Sequence, residues 1–69
     1  MKGGVVMTNF DFVEALIEEK LPEESSSRKQ ILIDRVFDSG SFSSDAEFDD
    51  FYAEEIEELV DETLAESGY

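Results

Sequence analysis

The chain has 69 residues, nineteen Asp and Glu against five Lys and Arg, and a net charge of −14. It has neither Cys nor His, which excludes disulfides, thiol nucleophiles and Cys/His zinc sites and leaves the redox compartment unread. So acidic a chain is repelled by nucleic acid, because duplex binding requires cations that neutralise phosphates.

High charge alone would suggest disorder, but 41% of the residues are hydrophobic, six are Phe, and their spacing is periodic. One small folded domain is expected. Like charges at this density oppose compaction while favouring solubility. Further burial of apolar surface, by a homodimer or a partner, would therefore help the fold. No apolar run approaches the ~20 residues of a membrane span. The opening MKGGVVM has one Lys and a short apolar patch, too little for a signal peptide, so a soluble, cytoplasmic protein is expected.

Residues 1–8 read as a flexible lead-in around Gly3-Gly4, and residues 9–69 as a single helical domain. The first helix is predicted from Phe10 to Leu21, capped by Thr8 or Asn9, with Asp11 and Glu14 in its first turns. Phe10, Val13, Leu16 and Ile17 repeat at helical spacing, Lys20 suits the C-terminal dipole, and Pro22 ends the element. Glu23 to Ser27 is a polar connector whose serines can cap a second helix from Arg28 to Phe37.

Two signals oppose that second helix. Arg28 and Lys29 disfavour a helix start, and Ile31-Leu32-Ile33 is a β-friendly run, so a hairpin around residues 30–43 is the alternative, giving an α+β fold. Helix is preferred because both neighbours are helical and a lone hairpin is marginal. Asp38 to Ser44 reads as a loop, with Gly40 as a helix C-cap or turn residue. Ser44 with Glu47 matches a capping box, which opens a third helix of about twenty residues reaching Ala65 or Glu66, with Gly68 just past its end. The expected fold is all-α, a three-helix domain with a long acidic C-terminal helix.

From Asp45 to Glu66 the chain holds eleven acidic residues, and no Lys, Arg or His follows Arg35. Glu54, Glu58 and Glu62 fall at four-residue intervals, as in helical metal sites, but di-iron bundles need a histidine partner that this chain lacks. Asp34 to Asp45 has a superficial likeness to a calcium loop. With Gly40 at loop position six, however, Arg35 and Ala46 occupy the first and last ligand positions. No phosphate loop, nucleophile elbow or paired Ser and base is present. Two carboxylates can divide acid and base roles only in a pocket that separates their pKa values, for which so small a domain has little room. Neither an enzyme nor a bound cofactor or metal is expected.

What remains is the carboxylate face itself. Acidic runs are usually just solvated, but this one has no interleaved cation to form the i, i+4 pairs that support an exposed helix. Lys20, Arg28, Lys29 and Arg35 cluster mid-chain, where Glu23, Glu24 or the third helix can pair with them. The functional reading is a face that engages a basic protein through Asp49, Asp50, Glu54, Glu55, Glu57, Glu58, Asp61 and Glu62, with Phe51 as an apolar anchor. Helix-face carboxylates lie ~5–6 Å apart, comparable with phosphate spacing along a nucleic-acid strand. In size, charge and helical acidic face the chain resembles the small DNA-mimic inhibitors of phages and mobile elements. That resemblance is one of type and carries no shared motif. It implies competitive blocking of a nucleic-acid-binding protein or nuclease. The alternative is a helical interaction module, antitoxin-like, adaptor or regulatory subunit, whose apolar stripe completes a partner's core. The two readings separate on whether that stripe is buried inside the domain.

Overall fold

The computed structural model describes residues 7–69; Gly3-Gly4 of the expected lead-in lie outside them. Three helices pack against one another: α1 (Asn9–Lys20), α2 (Ser26–Ser39) and α3 (Ala53–Glu66), with a 3-10 turn at Asp50–Tyr52 leading into α3. The domain is all-α. No helix among the described residues is long and apolar enough to cross a membrane.

α1 begins where local chemistry directs. The Thr8 hydroxyl accepts the Asp11 N–H while the Asp11 carboxylate accepts the Thr8 N–H, both at 3.2 Å, a reciprocal capping box. Val13 and Ile17, one helical turn apart, are fully buried.

α2 is a helix through the β-friendly run, so the hairpin alternative around residues 30–43 is excluded. The Ser25 hydroxyl caps it by accepting the Arg28 N–H at 3.2 Å. Helical geometry sends Leu32, Ile33 and Val36 inward and leaves Ile31 half exposed, whereas a strand would have divided them between two faces. The cations at its start find tertiary partners. Lys29 Nζ lies 3.6 Å from Glu18 of α1, and the Arg28 guanidinium sits 5.9 Å from the Tyr69 ring centroid.

The third helix is shorter than its capping box indicates. It starts at Ala53, and Ser44 and Glu47 belong to a non-helical segment docked on the N-terminus of α1. The Asn9 and Phe10 N–H groups, which no turn of α1 can satisfy, donate to the Ala46 and Ser44 carbonyls at 2.9 Å each. The buried Asn9 amide donates to the Ser43 carbonyl at 2.9 Å, and the Phe48 N–H donates to the Met7 carbonyl at 2.9 Å. Phe48, four residues before Tyr52 and eight before Ile56, would share a helical face with them, but it stacks on Phe12 with ring centroids 4.1 Å apart. A short-range capping signal thus loses to four long-range hydrogen bonds and an aromatic stack. The effective cap is Asp49, whose carboxylate accepts the Phe51 N–H at 2.9 Å.

Two glycines shape the ends of α2 and α3. Gly40 closes α2 with its N–H on the Val36 carbonyl, and the Leu59 side chain occupies the space that a Cβ there would need. Gly68 has φ +93°, so the Tyr69 N–H returns to the Leu64 carbonyl at 2.9 Å and the Gly68 N–H to that of Ala65 at 3.2 Å. That pairing is a Schellman closure, which a residue with a Cβ adopts only with strain. The core is wholly aliphatic: Val13, Ile17, Leu32, Ile33, Val36, Ile56, Val60 and Leu64. Phe10, Phe12, Phe37, Phe42 and Phe48 pack around it.

Replacing Asn9 with Ala removes the side-chain bond to the 43–48 segment while leaving the helix intact. We expect a loss of about 1 kcal/mol, or ~4–8 °C in Tm for a domain this small. In hydrogen exchange the Phe48 N–H is expected to lose protection before the α2 core does.

Candidate functional site

α3 divides sharply around its axis. Ile56, Val60, Thr63 and Leu64 are buried, and the Thr63 hydroxyl is satisfied by the Leu59 carbonyl at 2.8 Å. Glu54, Glu55, Glu57, Glu58, Asp61, Glu62 and Glu66 are all exposed and occupy the remaining half of the circumference. All nine residues singled out for partner binding lie at the surface. Glu54, Glu55, Glu57, Glu58 and Asp61 border one open depression along the helix. Glu62 is exposed on α3 but does not border it. Asp49, Asp50 and Phe51 sit at the N-terminal end, where Phe51 is 81% exposed.

Not all of these carboxylates are equally available. Asp61 is bridged by Lys20 of α1 at 2.9 Å, a cation that the sequence of α3 does not contain. The hydrogen bond that Lys20 donates to Asp61, followed by the charge of that carboxylate, raises the Lys20 pKa above the ordinary 10.5. A raised lysine adds stability that is complete below its ordinary pKa and is lost as pH rises through the raised value, so the pair is fully formed at neutral pH. Asp49 is engaged in its capping role. Asp50, Glu54, Glu55, Glu57, Glu58 and Glu62 have no salt-bridge partner among the described residues. Among those residues no group of three or more carboxylates converges closely enough to hold a metal ion.

The apolar stripe is internal. Val13, Ile33, Ile56 and Val60 are fully buried, and Phe10, Phe12 and Phe37 pack on them. Tyr52 is the exception, 41% exposed. A module docking through this stripe would have to open its own core. The exposed aromatics are confined to Phe51, Tyr52 and Tyr69.

Tyr69 forms a second, separate arrangement. Its hydroxyl donates to the Glu24 carboxylate and accepts from the Arg28 guanidinium at 3.3 Å, fastening the end of α3 to the α1–α2 connector. Arg35 reinforces that end by donating to the Ser67 hydroxyl at 2.9 Å. The Tyr69 hydroxyl, then the Ser25 N–H, holds the Glu24 carboxyl below its ordinary 4.5. A lowered carboxyl adds stability that is complete above its ordinary value and is lost as pH falls through the lowered one. Sequence reasoning missed this latch, and it missed the groove beside Tyr52 formed with Phe42 and Glu47. Both depend on residues far apart in the chain.

Two measurements follow from these pairings. Lys20→Gln leaves Asp61 without a cation, so the variant should unfold at lower temperature than the parent in ~10 mM salt. Most of that gap should close by about 0.5 M, where screening shortens to a few ångström. Tyr69→Phe should lower the stability at pH 7, with the difference from the parent shrinking as pH falls below the ordinary Glu value of 4.5. A difference independent of pH would place the contribution of the Tyr69 hydroxyl in its bond with Arg28 and not in that with Glu24.

Comparison with protein-family models, with curated proteins and with solved structures finds no match to this chain.

Proposed function

We propose that the domain is a nucleic-acid mimic, binding the basic surface of a nucleic-acid-binding protein or nuclease and blocking it competitively. The observation that carries this reading is the solvent-facing carboxylate half of α3, most of it without a counter-ion among the described residues. At ~1.5 Å per residue, Glu54 to Glu66 covers about 18 Å and carries seven carboxylates, about one per 2.6 Å. Duplex DNA carries about one charge per 1.7 Å of axis, and a single strand about one per 3.4 Å. The helix therefore falls between the two in linear charge density. Subtracting Asp61, which Lys20 neutralises, leaves it still above a single strand.

Rigidity supports the same reading. Mimicry requires charges held in register, and α3 is fixed along one face by Ile56, Val60 and Leu64 and at its far end by the Tyr69 latch. Such a face accelerates association by long-range attraction and loses affinity steeply with salt. No bond is made or broken. The mechanism is occlusion of the partner's phosphate-binding groove, with exposed Phe51 adding apolar contact at one end.

The test is capture of partners from a lysate at low and high salt, followed by competition with duplex DNA. Partners should be released by both salt and DNA. Changing Glu54, Glu58, Asp61 and Glu62 together to Gln should weaken capture by at least about tenfold, since each lost phosphate-like contact also flattens the salt dependence. A partner retained at high salt, indifferent to DNA and to these four substitutions, would return the acidic face to ordinary solvated surface.

A further inference from the structure

The carboxylates of α3 leave the aromatic side chains at its N-terminal end unexplained. Phe51 and Tyr52 are exposed by 81% and 41%, and their rings meet edge to face at 5.0 Å. Phe42 also meets the Tyr52 ring edge to face, at 5.8 Å. Phe42 and Tyr52 line an open groove of about 480 Å³ whose other walls include Glu47, Asp49 and Glu55. The ion pairs among the described residues, Lys20 with Asp61 and Lys29 with Glu18, leave these three carboxylates without a cation. The groove is held in place by its surroundings. Asn9 lies in its wall bonded to the Ser43 carbonyl, and Asp49 is anchored by the Phe51 N–H.

Aromatic surface beside several carboxylates suits a ligand that is both cationic and flat. Aromatic faces attract cations, and a guanidinium adds planar stacking and paired hydrogen bonds to a carboxylate. An ammonium is compact and strongly hydrated, and it stacks on nothing. We propose that this groove receives an arginine side chain of the basic partner, its guanidinium against Tyr52 and Phe42 and paired with Glu47, Asp49 or Glu55. The inference rests on the reading of α3 as a ligand for basic surfaces and extends it. α3 supplies long-range attraction, and the groove supplies preference for arginine over lysine. Arginines that bind nucleic acid stack on bases and pair with phosphates, and here aromatic rings and carboxylates offer the same two contacts.

The experiment titrates the whole chain with hexa-arginine and with hexalysine at low salt, following side-chain ring signals and backbone amides by NMR. Hexa-arginine is expected to bind about five- to tenfold more tightly and to shift the Phe42 and Tyr52 rings. Tyr52→Leu, and separately Phe42→Leu, should abolish that preference while leaving hexalysine affinity unchanged. Helical circular dichroism verifies that each variant folds. Equal affinities with shifts confined to α3 would overturn the groove and leave the acidic face standing, as would an arginine preference that survives both variants. If neither peptide binds, the basic-surface reading falls with it.

Discussion

The structure depends on how the N-terminus of α1 is satisfied. A helix start presents N–H groups that its own turns cannot reach, and left buried without acceptors they cost on the order of 1–3 kcal/mol each. Here the carbonyls of Ser44 and Ala46 supply two acceptors, and the buried Asn9 amide adds a third bond to Ser43. That docking pulls residues 43–48 out of helical conformation. It stacks Phe48 on Phe12 and delays the start of α3 until Asp49 can cap the turn before it. The groove beside Tyr52 and the exposure of Phe51 are direct consequences. Had α3 begun at Ser44, the same aromatics would have lain along one helical stripe.

The second constraint is charge. A domain at −14 in which eight aliphatic side chains of the described residues form the buried core has little margin against its own repulsion. Among the described residues three cations are placed where they relieve it. Lys20 meets Asp61 on the acidic helix, Lys29 meets Glu18, and Arg28 joins Tyr69 and Glu24. All of them act at the seams between helices. On the outward half of α3 only Asp61 is paired with a cation among the described residues, so most of the candidate binding surface is free of stabilising ion pairs.

That separation bears on mechanism. Charges facing solvent without counter-ions cost stability in the free domain, and the proposed basic partner would relieve that cost on binding. The attraction is strongest for a surface with closely spaced cations, as in a phosphate-binding groove. In the proposed complex the aromatic groove at one end of α3 would add short-range contact that charge alone does not provide, and the two parts would divide the work between rate of encounter and choice of partner side chain.

Much of this was legible from residue order, because helix formation rests on local signals. Thr8 with Asp11, the spacing of Val13 and Ile17, Pro22, and the alternation of Ile56, Val60 and Leu64 with glutamates determine the first helix and an acidic last one. The exposure of Glu54, Glu55, Glu57, Glu58, Asp61 and Glu62 also follows from that periodicity. Three matters were decided only by tertiary structure. Whether Ile31-Leu32-Ile33 forms helix or strand turned on there being a core for Leu32, Ile33 and Val36 to enter together. Whether Ser44 opens a helix turned on the unsatisfied N–H groups of α1, some thirty residues away in sequence. And whether α3 lacks counter-ions throughout turned on Lys20, which lies in another helix and cancels Asp61. Local pattern determines which segments coil and which face is apolar. Competition for hydrogen-bond acceptors and for nearby charge is settled only when distant segments meet.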